Sequence, residues 1–361
     1  MSYQKEVNRY RIIKDAISGL PLIFLIWFNF FIFVNSYTPD NYLLEITIII
    51  LLYCFIEFIV ELPFSIYKTF RIEEKYGFNR TKVTTFVLDN LLSLFLECFV
   101  TIAAAIVFFL LMTYLPSYLA VIIATVLLIL VILLIQFLFP YLSKVMNKFT
   151  PLEDGELKTK LMDLMNKNNF VIEGIYVVNA SKRSTKENAY FTGLGKSKRI
   201  VIYDTLINNF SPDLITAIFA HELGHAKHKD NLKSFPSTIL ICITEVVCLY
   251  LWASFISGFD SIEANAHNDG LMFVVYLEVM SLVASLFSFI SNYFSRKREY
   301  AADTFAVKIG YGKDLEAALI KLTKSSFSYL NPHPFLEFML WSHPSILKRL
   351  DNIKKNENKP N

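Results

Sequence analysis

Only 19% of the 361 residues are charged, against 54% that are apolar, and there are four cysteines, 11 glycines and 12 prolines. The scarcity of charge excludes an intrinsically disordered chain. Cys54, Cys98, Cys242 and Cys248 all lie within apolar runs and lack paired ligand spacing, which excludes a disulfide scaffold and a zinc knuckle; they read as small buried hydrophobes. No nucleic-acid-binding module is recognisable, and a net charge of +3 suits an anionic membrane surface better than nucleic acid. A cleavable signal peptide is not indicated either. Lys5, Arg9, Arg11 and Lys14 precede an apolar stretch that ends without a small-residue cleavage site, so that stretch is expected to stay in the membrane.

What the chain does have is 33 phenylalanines and a mean hydropathy of +0.43. Six segments are long enough to cross a hydrocarbon layer, at about 20–37, 43–65, 83–113, 118–142, 235–257 and 271–294. These predict a mostly α, polytopic membrane protein with two parts. Residues 1–148 form an N-terminal membrane domain of about four crossings. Residues 149–361 are expected to form a second domain with a membrane hairpin at about 235–294, C-terminal helices and a small α+β portion. Lys and Arg gather at the N-terminus, at Lys68–Lys82, between Lys144 and Lys233, and at Arg296–Arg298, whereas Ser36–Tyr42, Leu115–Tyr118 and Gly258–Gly270 contain none. The positive-inside rule then puts both termini and the long polar block on the cytoplasmic side.

The chemistry is concentrated in His221-Glu222-Leu223-Gly224-His225. Residues four apart share a helix face, so two imidazoles can reach one metal ion with Glu222 beside it to handle a proton. Ser211-Pro212-Asp213 supplies an N-cap position, a proline at the first helical position and an acid in the first turn, which supports the helix. A catalytic zinc usually takes three protein ligands, and the third candidate is Glu299, opening the stretch Glu299-Tyr300-Ala301-Ala302-Asp303 beyond the sixth segment. Asp303, one turn on, shares that face and can accept the free ring N–H of a liganding histidine. His228 is three residues past His225 where a metzincin has glycine, and Asn231 stands where that class has its third histidine, so the metzincin class is excluded.

The same residues lie among longer stretches, LPFSIYKTFRIEEKYGFNR, KFTPLEDGELK, SKRSTKENAYFTGLGKSKRIVIYDTLI and WSHPSILKRL. With HELGH and EYAAD they make the chain, from roughly Tyr10 onward, resemble the type I CAAX prenyl proteases, integral-membrane zinc endopeptidases. That resemblance implies a barrel of about six transmembrane helices enclosing a water-filled chamber, with one Zn2+ held by His221, His225 and Glu299. It implies removal of the C-terminal tripeptide of prenylated C-a-a-X proteins, with a second upstream cut and a translocon association known for some relatives. It also implies that Asn188, with Ala189 and Tyr190, binds the substrate backbone, and that His343 and Arg349 face the substrate or its developing oxyanion. The family carries one further membrane helix before the region of Tyr10, so six crossings are expected in place of seven. The implied location is the endoplasmic reticulum and inner nuclear membrane for a eukaryote, or the inner membrane for a bacterium.

Read from residues alone, Asn188 is a turn residue and His343 a helix cap, while Tyr190–Thr192 and Ile200–Tyr203 alternate like strands and offer an edge to an extended peptide. Glu57, Glu61, Asp89, Glu97, Glu245 and Glu278 fall inside the expected spans, where charge normally faces a partner or a wet cavity; Arg80 and Lys82 are candidate partners. Two other readings stay open at this point. One is a heat-shock-type membrane quality-control peptidase, which shares HExxH and a distal glutamate; the other is an inactive scaffold that has kept the fold.

Overall fold

The structure, a computed structural model, describes residues 3–20, 23, 27, 30–37, 41–146, 148–193, 198–259 and 269–358. Helix α1 (Tyr3–Ser18) and the short α2 (Phe30–Asn35) are followed by three long apolar helices, α3 (Tyr42–Tyr67), α4 (Val83–Tyr114) and α5 (Ser117–Met146). By length and composition Leu43–Glu73, Val83–Tyr114 and Tyr118–Ile135 qualify as membrane spans among the described residues. Of the expected span at about 20–37, the second half carries α2, and residues 21–22, 24–26 and 28–29 lie outside the described residues. The expected fifth and sixth spans fall within α9 (Asp230–Phe259) and α10 (Asp269–Lys308), whose connection at 260–268 is also outside.

Three acids on the long helices meet identifiable partners. Tyr53 donates to Glu278 across the contact between α3 and α10 at 2.8 Å, and Lys14 reaches Glu61 at 2.6 Å. Asp89 is held by Arg183 through two bonds of 3.0 and 3.2 Å. The sequence pointed to Arg80 and Lys82, which are near in sequence; the actual partners come from α1 and from a loop 94 residues away.

The polar half contains β1 (Phe149–Pro151), α6 (Glu156–Lys167), β2 (Gly174–Val178), β3 (Ala189–Thr192), β4 (Arg199–Tyr203), α7 (Asp204–Asn209) and α8 (Pro212–Lys227). After α10 come α11 (Gly312–Ser325), α12 (Pro334–Leu340) and α13 (Ile346–Glu357). The sheet order is β1-β2-β4-β3, with β2 and β4 parallel and the outer pairs antiparallel, so β3 is an edge.

Helix α8 runs through the middle of this half. Its Ile215, Phe219 and Leu223 are fully buried against Leu161, Leu164 and Met165 of α6, Ile200 and Ile202 of β4, Ala306 of α10 and Leu319 of α11. Burial on every side, rather than intrinsic propensity, holds the helix; each large side chain taken out of water contributes roughly 1.5–3 kcal/mol. Ser211 occupies the N-cap in extended conformation but makes no side-chain cap bond. Asp213 instead pairs with Lys160 of α6.

Candidate metal centre and active site

Two helices bring the expected ligands together. His221 and His225 project from one face of α8, and Glu299 comes from α10, which packs along α8 as a continuous extension of its apolar segment. The approach is close because of Gly224: a Cβ there would stand 2.9 Å from the Ala302 Cα and 3.1 Å from its carbonyl oxygen. Glycine is thus a packing requirement of the ligand geometry. His221 Nε2 lies 3.2 Å from His225 Nε2, His225 Nε2 is 3.3 Å from Glu299 Oε1, and His221 Nε2 is 3.5 Å from Glu299 Oε2.

The far nitrogens of both rings are occupied. His221 Nδ1 is 2.8 Å from Asp303 Oδ1, and His225 Nδ1 is 2.8 Å from Asp230 Oδ2. An ionised carboxylate only accepts, so each Nδ1 carries its ring's proton and each Nε2 presents a lone pair. Two lone pairs and a carboxylate then converge, and His221, His225 and Glu299 can each offer one ligand atom within 4.8 Å of the others. Glu299 Oε2 is buried and makes no hydrogen bond. Such a donor set fits a divalent cation. Without one, the conflict is relieved by protonation: burial and the Arg349 charge lower the His221 pKa, yet the bonds to Asp303 and Glu299 outweigh them and carry it up to about 9. Burial works against ionisation of Glu299, but His221, His225, His343 and Arg349 hold it far below the usual carboxylate range.

Glu222 stands beside the ligands, half-buried and without a hydrogen bond among the described residues. Burial raises its pKa, partly offset by the two histidines. His343 places Nδ1 3.1 Å from Glu299 Oε1 while its side chain remains 65% exposed, so one ring edge faces the open side of the site. Arg349 lies deeper, with its side chain 11% exposed. Its Nε and Nη2 grip Asp303 at 2.9 and 2.6 Å, and Nη1 reaches Glu299 at 3.2 Å. The resemblance implied that Arg349 faces the substrate or its developing oxyanion. In the structure Arg349 grips Asp303 as a buried bidentate partner and also lies against the ligand atoms, with Nη2 3.5 Å from His221 Nε2.

Two further residues escaped sequence reading. Asp230 is five positions past His225, beyond the end of α8, and only the left-handed Lys229 (φ 56) bends the chain enough to return its carboxylate to the ring. Glu337 on α12 is buried and accepts from the Ser345 backbone N–H at 3.0 Å and from Lys348 at 2.7 Å, shaping the turn that carries His343 into α13. Arg296 closes the other end of α12 by donating to the Glu337, Phe338 and Trp341 carbonyls.

Strand β3 lies against α8, with Phe191 on Phe219. Tyr203 N–H donates to the Asn188 carbonyl, so by antiparallel alternation the backbone groups of Tyr190 and Thr192 face β4 and those of Ala189 and Phe191 face the open edge. Asn188 is exposed and its side-chain oxygen accepts from the Ala189 N–H. Just upstream, residues 183–185 pair with the loop after α3. Arg80 donates to the Arg183 carbonyl, Thr185 donates to that of Phe78, and the turn needs Gly77 at φ +73. Two of the recognised sequence stretches therefore meet beside β3.

The profile of peptidase family M48 matches residues 151–357, and one described as CAAX prenyl protease N-terminal, five membrane helices, matches residues 1–144. The chain belongs to peptidase family M48. It is 33% identical over 304 residues to the CAAX prenyl protease 1 homolog of Arabidopsis thaliana, covering 83% of this chain and 71% of that protein. Over 308 residues it is 32% identical to CAAX prenyl protease 1 of Saccharomyces cerevisiae, covering 81% and 68%. The crystal structure of S. mikatae Ste24p superposes with a TM-score of 0.88 at 28% identity, covering 97% of this chain and 87% of that one. This M48 member is an integral-membrane metalloendopeptidase with a Ste24p-like, mostly helical fold and a small mixed sheet.

Proposed function

We propose that this peptidase removes the C-terminal tripeptide of prenylated C-a-a-X proteins, using one zinc ion held by His221, His225 and Glu299. The observation that carries the catalytic part is the convergence of three acceptors, two of them imidazoles whose far nitrogens are fixed by Asp303 and Asp230. The substrate class follows from the motif resemblance and from the names of the relatives. When bound, zinc supplies Lewis acidity for the scissile carbonyl and for the attacking water.

The remaining steps belong to the chain. An extended substrate adds to the open edge of β3, where the Ala189 carbonyl and the Phe191 backbone groups are presented and Asn188, whose side chain holds the Ala189 N–H, and Tyr190 flank the register. Glu222, with its pKa raised by burial, takes the proton of the attacking water and passes it to the leaving amine. His343, on the exposed side of Glu299, donates to the developing oxyanion. Arg349 acts as a positioning residue: it fixes Asp303, which fixes the His221 ring. The distribution of basic segments supports a site on the cytoplasmic face, and the family resemblance supports the endoplasmic reticulum and inner nuclear membrane for a eukaryote or the inner membrane for a bacterium. Association with a translocon and a second upstream cut belong to the same reading.

The test is tripeptide release from a farnesylated C-a-a-X peptide by the protein in liposomes, with metal content measured on the same sample. Release that stops on chelation and returns with zinc supports the proposal. A zinc-loaded, folded protein that leaves the peptide intact rules out the substrate assignment.

A further inference from the structure

Away from the catalytic face, α9 and α10 enclose a groove of about 730 Å³. Its walls are mostly apolar, built by Leu240 and Ile241 of α9 and Ile290 and Phe294 of α10, with Ser237, Thr244, Ser288 and Ser291 between them and Glu245 far from the basic end. One end is basic, with Lys233, Lys297 and Arg298. On a helix of 3.6 residues per turn, Ile290, Phe294, Lys297 and Ala301 form a stripe on the face of α10 opposite Glu299 and Glu278. The groove therefore opens away from the side of α10 that carries the ligand and the Tyr53 bond.

We infer that this groove is a binding site for an anionic phospholipid, with its headgroup on Lys233, Lys297 and Arg298 and one acyl chain between Leu240, Ile241, Ile290 and Phe294.

Three observations support a lipid over a protein partner. The apolar lining belongs to the two helices that continue into the membrane, and Leu240, Ile241, Ile290 and Phe294 are each more than 40% exposed, in a setting where lipid is the surrounding phase. None of Lys233, Lys297 and Arg298 pairs with a carboxylate among the described residues, although Arg296 beside them is fully engaged on α12; Lys297 rests only over the Tyr293 ring. Nearby acids do not neutralise the basic end. Asp230 is bonded to His225, and Glu245 lies twelve residues along α9 from Lys233, about 18 Å at 1.5 Å per residue. Cations at one end of an apolar slot of that length match the charge and shape of an acidic glycerophospholipid. Asp230 connects the two sites, since it lines the groove and also holds the metal-ligand ring.

The test is native mass spectrometry of the full chain in neutral detergent, titrated separately with phosphatidylserine and phosphatidylcholine. The wild type is expected to retain one phosphatidylserine in preference to phosphatidylcholine by roughly tenfold or more, given the attraction expected for each cation. Combined Lys233→Gln, Lys297→Gln and Arg298→Gln should abolish the preference, and Lys313→Gln, outside the lining, should leave it intact. Leu240→Trp, which fills the slot and keeps every charge, should lose the lipid and guards against misreading a folding defect in the triple variant. Equal retention of both lipids, a preference that survives the triple variant, or displacement of the lipid by inorganic phosphate alone would each overturn the inference. None of these readouts depends on peptide cleavage, so the site stands or falls independently of the substrate assignment.

Discussion

The two halves of the molecule treat polarity in opposite ways. Along α3, α4 and α5 many apolar side chains point outward, Leu88 and Phe95 among them at 66% and 64% exposure, beside an inner cluster around Ile46, Ile49 and Ile50. In the half built around α8, the interior holds His221, Asp230, Glu299, Asp303, Glu337, Thr205, Thr216 and Ser345, while among the described residues only Glu45 is comparably buried elsewhere. A membrane relieves the first half of any need to hide its hydrophobes. The second half must take charge out of water, which is tolerable only where each ion is paired and hydrogen-bonded. Buried charge in the peptidase half therefore marks function, whereas exposed apolar surface in the membrane half marks only its solvent.

The largest effect should come from the one acid of the site that is not tied down. Glu222→Gln should lower tripeptide release about 10³-fold or more while zinc stoichiometry is unchanged, measured by elemental analysis beside the activity assay. Loss of metal in that variant would mean the carboxylate is structural. Asp303→Asn strikes the densest part of the buried network, removing the Arg349 clamp and the His221 bond together. It should cost about 3 kcal/mol or more in chemical denaturation and weaken zinc about 10- to 100-fold in a competition titration. Asp230→Asn removes one bond only, so its effect should stay near the lower end of that range. Equal effects of the two would erase the distinction between a network and a single support.

Gly224→Ala tests the packing that brings the helices together. The added methyl meets backbone, which cannot move aside as a flexible side chain would, and should cost about 1–3 kcal/mol while weakening zinc through displacement of Glu299. Full zinc affinity in this variant would show that the ligand spacing tolerates a wider helix separation.

HELGH was readable because a helix face is a local property, and Glu299 because a second helix had to deliver a third ligand. Asp303 followed from the same periodicity. Asp230 was not readable, since its role depends on one left-handed residue after the helix. Glu337 was equally hidden, because its partners Ser345 and Lys348 become neighbours only when α12 and α13 fold onto α10. The resemblance directed Arg349 at the substrate or the oxyanion and was silent about the buried Asp303 carboxylate that it grips, because that contact forms only when α13 packs on α10. In the membrane half, periodicity gave the long apolar helices but not the partners of Glu61 and Asp89, because an apolar pattern carries no information about which polar groups meet.

Protonation offers a further contrast between the metal-free and zinc-loaded protein. His221 has an ordinary value of 6.5, raised to about 9 in the metal-free fold. A raised cationic group stabilises the fold fully below its unfolded value and loses that contribution as pH climbs through the folded one. The metal-free protein should thus become less stable from about pH 6.5 to 9, followed by thermal denaturation. Zinc must displace that same proton, so its apparent affinity should rise by about tenfold per pH unit over the same window. Parallel slopes for the two forms would mean that the metal binds without deprotonating His221.

The smallest effect is expected where the halves join. Arg183 fastens the loop before β3 to Asp89 of α4, but both side chains are about one-quarter to one-third exposed. Water already screens such a pair, so Arg183→Ala should cost roughly 0.2–1 kcal/mol and leave zinc binding unchanged. The backbone bonds between residues 78–80 and 183–185 still hold β3 in place, so KM for the peptide should shift only slightly. A large rise in KM without loss of metal would show that the junction, and not α8 alone, sets the register of the substrate edge.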